Sequence, residues 1–166
     1  GVILFTRNIK NIEQTLKLTS SIRKIFNDKK YPILIDQEGG RINRLKNIIS
    51  FDNLTSEFFG KKYVKDIREF KSYYKLFIDK TSFLLKSIGV NINTSPVLDL
   101  RIKGSSNIIG DRSFSKNPKI VSKIGDFCIN HFHINRIGTV MKHIPGHGLA
   151  KVDSHNFTPI VNKKLN

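Results

Sequence analysis

Two hydrophobic patterns alternate along the chain. Short apolar runs that stop abruptly at polar or glycine-rich residues are typical of buried strands, and they occur at residues 2–5, 33–35, 90–93 and 139–141. Between these runs, apolar residues recur at helical spacing, which predicts helices over residues 11–27, 62–87 and 117–136. Strands that alternate with helices in this way predict parallel βαβ units.

Local signals support the predicted helix boundaries. Asn11 is a typical N-cap, and Pro118 follows Asn117 at the first helical position, where a missing N–H is tolerated. Gly89 and Gly138 follow the second and third helices, where a left-handed C-cap favours glycine. Polar and glycine-rich residues come directly after the strands, where both a (β/α)₈ barrel and a doubly wound sheet place ligands. The periodicity alone leaves these two architectures open.

Two segments combine arginines with acidic and small residues. In DQEGGRINRL (residues 36–45), Asp36 ends a predicted strand, and Arg41 and Arg44 follow a glycine pair. A carboxylate can accept two sugar hydroxyls and a guanidinium can donate two parallel bonds, so this set suits polyol recognition. GDRSF (residues 110–114) again places an arginine, Arg112, among small residues. A plain turn at the glycine pair and a surface ion pair for Asp111 and Arg112 remain alternatives.

The segment KHIPGHGLAKVDSH (residues 142–155) concentrates ionisable side chains in a loop that proline and glycine make irregular. Each residue alone has an ordinary explanation, such as a histidine that satisfies a loop carbonyl group. Together they indicate proton-transfer chemistry or, as the rival interpretation, a metal site. The candidate metal ligands are His143, His147, Asp153 and His155. Their spacing is not that of the helical zinc motif HExxH.

Composition changes this picture little. The net charge is +16, from 29 Lys and Arg against 13 Asp and Glu, which raises nucleic-acid binding as an alternative. The lysines are spread over predicted helix surfaces rather than concentrated in one basic block, as a compositional bias would produce. The lone Cys128 excludes an internal disulfide bond and is predicted to be a packing residue. No apolar run approaches the roughly 20 residues that a membrane span needs.

Taken together, four motifs resemble the β-N-acetylhexosaminidases of glycoside hydrolase family 3, the bacterial muropeptide-recycling type. They are DQEGGRINRL, SPVLDL, IGDRSF and KHIPGHGLAKVDSHNFTP, and GVILFTRNI is similar to the family's early strand. The resemblance covers nearly the whole chain. It implies an α/β fold, a (β/α)₈ TIM-type barrel that is incomplete here, as a single partial catalytic domain over residues 1–166.

The resemblance also implies roles for individual residues. The family's unusual catalytic acid/base, a histidine, falls on His155, and its orienting aspartate falls on Asp153. The family's substrate-binding residues fall on Asp36, Arg44, Arg112, Lys142 and His143. A histidine can act as proton donor at neutral pH when a carboxylate aims it. The Asp153–His155 spacing permits this partnership only if the loop curls back.

The chain departs from the family pattern at both ends. The early strand before GVILF and the later strand that carries the nucleophilic aspartate are expected to be missing, with the nucleophile beyond Asn166. Asp99 also ends a strand, but its SPVLDL context matches a structural segment and it is not assigned as the nucleophile.

The implied function is removal of terminal β-linked N-acetylglucosamine from peptidoglycan-derived muropeptides by a retaining mechanism. The resemblance implies a cytoplasmic enzyme, monomeric at full length, with no metal or organic cofactor and no nucleic-acid or membrane partner. The main alternative is a catalytically inactive, truncated sugar-binding remnant.

Overall fold

Strands and helices alternate in the computed structural model, which describes residues 1–104, 107–152 and 156–160. The strands are β1 (Val2–Leu4), β2 (Ile33–Ile35), β3 (Gln37–Gly39), β4 (Ile42–Asn43), β5 (Ile92–Asn93) and β6 (Gly138–Thr139). The helices are α1 (Ile12–Ile25), α2 (Ser56–Lys65), α3 (Ile67–Ser87) and α4 (Pro118–Ile134). Single 3-10 turns cover Thr6–Asn8 and Gly110–Arg112. Among the described residues, no helix is both long enough and apolar enough to cross a membrane.

The main sheet has four strands in the order β1-β2-β5-β6, and every pair is parallel. Val2 lies opposite Ile33, Leu34 opposite Ile92, and Ile92 opposite Gly138. The strand order follows the chain without the reversal that defines a doubly wound sheet. The sheet therefore has the strand succession of a (β/α)₈ barrel. Its strands all end at the same edge.

The antiparallel hairpin of β3 and β4 was not predicted from the sequence. It occupies the segment directly after β2, and its turn uses positive φ values of 90° at Gly39 and 55° at Gly40. A Cβ atom at Gly39 would lie 2.2 Å from the carbonyl oxygen of Leu54. The glycine pair is therefore required both by backbone conformation and by close packing.

The helix predicted over residues 62–87 is in fact two helices. Asp66 ends α2 and caps α3, and its carboxylate accepts from the backbone N–H groups of Arg68 (2.7 Å) and Glu69 (3.1 Å). The apolar spacing continues across this break, which is why it predicted a single helix. The cap satisfies donors that would otherwise be exposed at the start of α3.

One hydrophobic core joins the sheet to α2, α3 and α4. Aromatic side chains fill its centre, with Phe59 and Tyr74 at a ring-centroid distance of 4.5 Å and Phe59 and Phe77 at 5.2 Å. Cys128 lies in this core as a packing residue, as predicted. Burial raises the pKa of its thiol to about 11, so it remains a neutral apolar group.

Candidate active site

The candidate binding residues gather at the carboxyl edge of the parallel sheet. Asp36 directly follows β2, and Thr94 directly follows β5. Lys142 lies just beyond β6, where it forms a parallel bridge with Val97. Residues separated by up to 106 positions in sequence are thereby brought into hydrogen-bond contact.

Lys142 is held between two carboxylates. Its Nζ lies 2.8 Å from Asp36 Oδ1 and 2.6 Å from Glu38 Oε1, and it donates to Thr94 Oγ1 at 3.2 Å. The Thr94 hydroxyl in turn donates to Asp36 Oδ1. Arg44 approaches the other oxygen, Asp36 Oδ2, at 3.6 Å. The predicted residues Asp36, Arg44 and Lys142 are therefore neighbours in one charged site.

Asp36 is ionised at neutral pH. Burial acts to raise the pKa of its carboxyl group, but hydrogen bonds from Lys142 and Thr94, and then the charges of Lys142 and Arg44, outweigh that effect. The pKa therefore lies below its ordinary value. An ionised carboxylate in this position offers acceptors to hydroxyl groups of a ligand.

Two residues of this site, Thr94 and Glu38, were not predicted from the sequence. Glu38 is the charged one of the two. Its carboxylate accepts two parallel bonds from Arg112, at 2.8 Å and 2.9 Å, and its side chain is almost fully buried. The sequence did contain a signal for Glu38. In an extended chain, side chains two positions apart point to the same face, so Glu38 is expected on the same face as Asp36. We refer to five residues as the ion cluster: Asp36, Glu38, Arg44, Arg112 and Lys142.

Arg112 is fixed in its charged form by this arrangement. Burial acts to lower the pKa of its guanidinium, but the hydrogen bonds and charge of Glu38, with smaller effects of Asp99 and Asp36, raise it overall. Arg112 therefore belongs to the ion cluster rather than to a surface ion pair. Asp111 does form a surface ion pair, with Arg41 at 2.9 Å.

Arg41 does not join the cluster. Its guanidinium also donates to the carbonyl oxygens of Asn107 (2.8 Å) and Ile109 (3.0 Å). It thus connects the turn after β3 to the 3-10 turn that carries Arg112, on the outside of the site.

His143 lies beside the cluster but contacts a different carboxylate. Its ring Nδ1 lies 2.5 Å from Asp99 Oδ2, and its backbone N–H donates to the same oxygen at 3.1 Å. The backbone N–H groups of His147 and Gly148 donate to Asp99 Oδ1. Burial acts to raise the pKa of Asp99, but these partners, His143 first, lower it overall. Asp99 is fully occupied by this loop, in keeping with the structural role expected from its sequence context.

The predicted catalytic pair, Asp153 and His155, lies outside the described residues, so its assignment stays a prediction. The same holds for the metal alternative, which needs both residues. Within residues 1–104, 107–152 and 156–160, no three His, Cys, Asp or Glu side chains are grouped as metal ligands would be.

Solved structures that are similar to this chain include NagZ from Neisseria gonorrhoeae, and the matched part has a TIM-barrel-like α/β fold. NagZ from Neisseria gonorrhoeae in complex with N-trifluoroacetyl-D-glucosamine matches with a TM-score of 0.86 and 29% identity, over 99% of this chain and 48% of that chain. The same protein with a zinc ion matches with a TM-score of 0.79 and 29% identity, over 90% of this chain and 44% of that one. The predicted fold, part of a (β/α)₈-type barrel, is confirmed.

The sequence comparisons identify the family. The Glycosyl hydrolase family 3 N terminal domain matches residues 1–166, and the chain belongs to this family. It is 33% identical to beta-hexosaminidase A of Pseudoalteromonas piscicida, over 97% of this chain and 27% of that protein. It is 35% identical to the beta-hexosaminidase of Hydrogenovibrio crunogenus, over 93% of this chain and 43% of that protein. The chain thus spans less than half the length of these curated relatives.

Proposed function

We propose that this chain forms the sugar-binding part of a β-N-acetylhexosaminidase that removes terminal β-linked N-acetylglucosamine. The observation that carries the proposal is the ion cluster at the carboxyl edge of a parallel sheet, in a fold that in NagZ is solved with N-trifluoroacetyl-D-glucosamine. In this role Asp36 accepts from sugar hydroxyls, while Arg44, Arg112, Lys142 and His143 donate to the sugar oxygens. The single core that extends from Leu4 to Ile137 supports treating residues 1–166 as one domain.

In the proposed reaction His155 acts as the catalytic acid/base and Asp153 orients its ring. His155 protonates the glycosidic oxygen as the bond to the anomeric carbon breaks, and it later takes a proton from the attacking water. The retaining course requires a covalent glycosyl–enzyme intermediate formed by a carboxylate. We assign no nucleophile among Asp36, Glu38 and Asp99, because each already holds a cation or a loop. No metal ion or organic cofactor takes part in this scheme.

The proposed natural substrate is a peptidoglycan-derived muropeptide, processed in the cytoplasm by a monomeric enzyme during cell-wall recycling. The support for this substrate is the sequence motif KHIPGHGLAKVDSH and its family resemblance. Comparing hydrolysis of a muropeptide with that of chitobiose tests it. Preference for chitobiose would contradict the muropeptide assignment while leaving the hexosaminidase activity intact.

A sugar-binding protein without turnover is the second candidate. The observation that favours it is that each carboxylate in the described part of the site already holds a cation or a loop, so that none of them is assigned as the nucleophile. General acid–base catalysis alone supplies roughly 10²–10⁴-fold, well below the rate enhancement of a complete enzyme.

The decisive experiment uses the product of the complete reading frame that encodes this chain. Hydrolysis of 4-nitrophenyl N-acetyl-β-glucosaminide is expected, and His155→Ala should reduce kcat by at least about 10²-fold. His133→Ala is the matched control, because His133 lies exposed on α4. Binding of N-acetylglucosamine without hydrolysis would favour the second candidate. Initial release of the α-anomer, observed by NMR, would contradict the retaining course.

A further inference from the structure

The carboxylate of Asp99 lies beneath the histidine loop, which we define as residues 143–148. Its side chain has no exposed surface, and both of its oxygens accept hydrogen bonds from this loop. Three of the donors are backbone N–H groups, those of His143, His147 and Gly148, and the fourth contact is the His143 ring. One buried side chain thus fixes both the path of the loop and the orientation of an imidazole.

The contact with Asp99 also decides which nitrogen of His143 carries the proton. Nδ1 faces a carboxylate oxygen at 2.5 Å, and a carboxylate can only accept. In the neutral ring Nδ1 therefore carries hydrogen, and Nε2 is the nitrogen with a free lone pair. Within the described residues, Nε2 makes no hydrogen bond. It is the ring atom that remains available to a ligand.

We propose that Asp99 is a positioning residue, which sets the Nδ1–H tautomer of His143 and holds the histidine loop in the form that binds sugar. The expected effect of this positioning on KM rests on the proposed function, whereas the expected tautomer of His143 does not. A carboxylate has about four lone-pair positions, enough for all of these donors. An asparagine of the same shape has one oxygen and adds two N–H donors, which would face other donors.

The loop has little freedom to adjust to such a change. A Cβ atom at Gly148 would lie 2.5 Å from the carbonyl oxygen of Leu100 and 3.0 Å from its nitrogen. The end of the histidine loop is thus packed directly on the backbone beside Asp99. Replacing the carboxylate therefore leaves donors without partners rather than allowing the loop to find new ones.

The test is long-range ¹H–¹⁵N correlation NMR of the complete reading-frame product, labelled with ¹⁵N-histidine, at about pH 8. The His143 signals are assigned by their loss in His143→Gln. The expected result is an Nδ1–H tautomer in the wild type and a mixed or Nε2–H population in Asp99→Asn. Asp111→Asn is the matched control, since it removes an exposed carboxylate outside the ion cluster. It should leave the tautomer unchanged.

Measurement of KM and kcat distinguishes a loss of His143 positioning from a general destabilisation of the fold. Asp99→Asn is expected to raise KM for the aryl glycoside about tenfold or more, with a smaller change in kcat, because His143 is a binding group. In a His143→Ala background the same substitution should add little to the rise in KM. An Nε2–H tautomer in the wild type would overturn the proposal, even if Asp99→Asn failed to fold. So would an unchanged tautomer in folded Asp99→Asn. If the wild type has the Nδ1–H tautomer but hydrolyses no aryl glycoside, the proposed enzymatic function is refuted and the positioning of His143 by Asp99 is not.

Discussion

Removing the Glu38 carboxylate tests whether the ion cluster is a buried, interdependent unit. Glu38→Ala takes away both of the parallel bonds to Arg112 and one of the two carboxylates that hold Lys142. The side chains of Glu38, Arg112 and Lys142 are only 3%, 12% and 13% exposed. Neither cation can therefore regain full hydration after the change.

The expected magnitude follows from this burial. Breaking a buried pair by deleting one partner typically costs about 3–5 kcal/mol, because an uncompensated charge remains. Lys142 keeps Asp36 at 2.8 Å. Among the described residues, Arg112 keeps only its hydrogen bond to the carbonyl oxygen of Ile108, at 3.2 Å. We therefore expect a loss of about 3 kcal/mol, most of it from Arg112. Glu38→Gln, which retains the shape and one acceptor, should lose less.

Urea denaturation at neutral pH measures this loss as a change in the free energy of unfolding. Lys75→Ala is the matched control, since Lys75 and Asp79 form an exposed pair at positions i and i+4. That control should lose about 0.3–0.5 kcal/mol. A loss below about 1 kcal/mol for Glu38→Ala, close to the control, would refute the reasoning, because such a value is typical of solvated surface pairs.

Three further outcomes are expected. Gly60→Ala should destabilise the fold by about 3 kcal/mol or more in thermal denaturation, because its Cβ would lie 1.7 Å from a backbone carbonyl oxygen. Gly104→Ala is the matched control, because its Cβ would meet no atom of the described residues within 4 Å. It should cost only about 1–2 kcal/mol, which is the cost of its positive φ. Asp66→Ala should cost about 0.5–2 kcal/mol and reduce helicity in circular dichroism, because it removes the cap of α3. The pKa values of Asp36 and Asp99 in the folded state lie below 3.8. The ionised carboxylates therefore stabilise the folded state fully above that pH, and this stabilisation is lost as the pH falls through the lowered pKa values. Urea midpoints measured from about pH 6 to pH 2 should therefore fall in the acid range, and less steeply in Asp99→Asn.

The sequence predicted the framework of the site well because parallel topology does most of the positioning. Once short strands alternate with helices, every strand ends at the same edge, and residues just after the strands must approach one another. Asp36 and Lys142 therefore came together as predicted, although 106 positions separate them. This prediction from parallel topology does not depend on which side chains form ion pairs with one another.

The sequence did not predict which charged side chains form ion pairs with one another. Arg112 was predicted as a binding residue, but its partner, Glu38, lies 74 positions away in a hairpin that apolar periodicity does not reveal. The break at Asp66 was missed for a related reason, since an acidic residue in a helical pattern reads equally well as exposed surface. Long-range charge pairing depends on burial and geometry, and a one-dimensional pattern records neither.

The two oxygens of Asp36 differ in a way that indicates where a sugar would enter the cluster. Oδ1 is occupied, since Lys142 lies 2.8 Å away and the Thr94 hydroxyl donates to it. Among the described residues, Oδ2 has only Arg44 nearby, at 3.6 Å, a distance too long for a good hydrogen bond. A ligand hydroxyl can therefore reach Oδ2 while the Lys142 contacts stay in place. On this reasoning Arg44→Ala should weaken N-acetylglucosamine binding yet cost about 1 kcal/mol or less in unfolding free energy, whereas Lys142→Ala should reduce both binding and stability. Equal losses of stability in the two variants, compared by urea denaturation and calorimetric titration, would show that the two oxygens are equally committed to the fold.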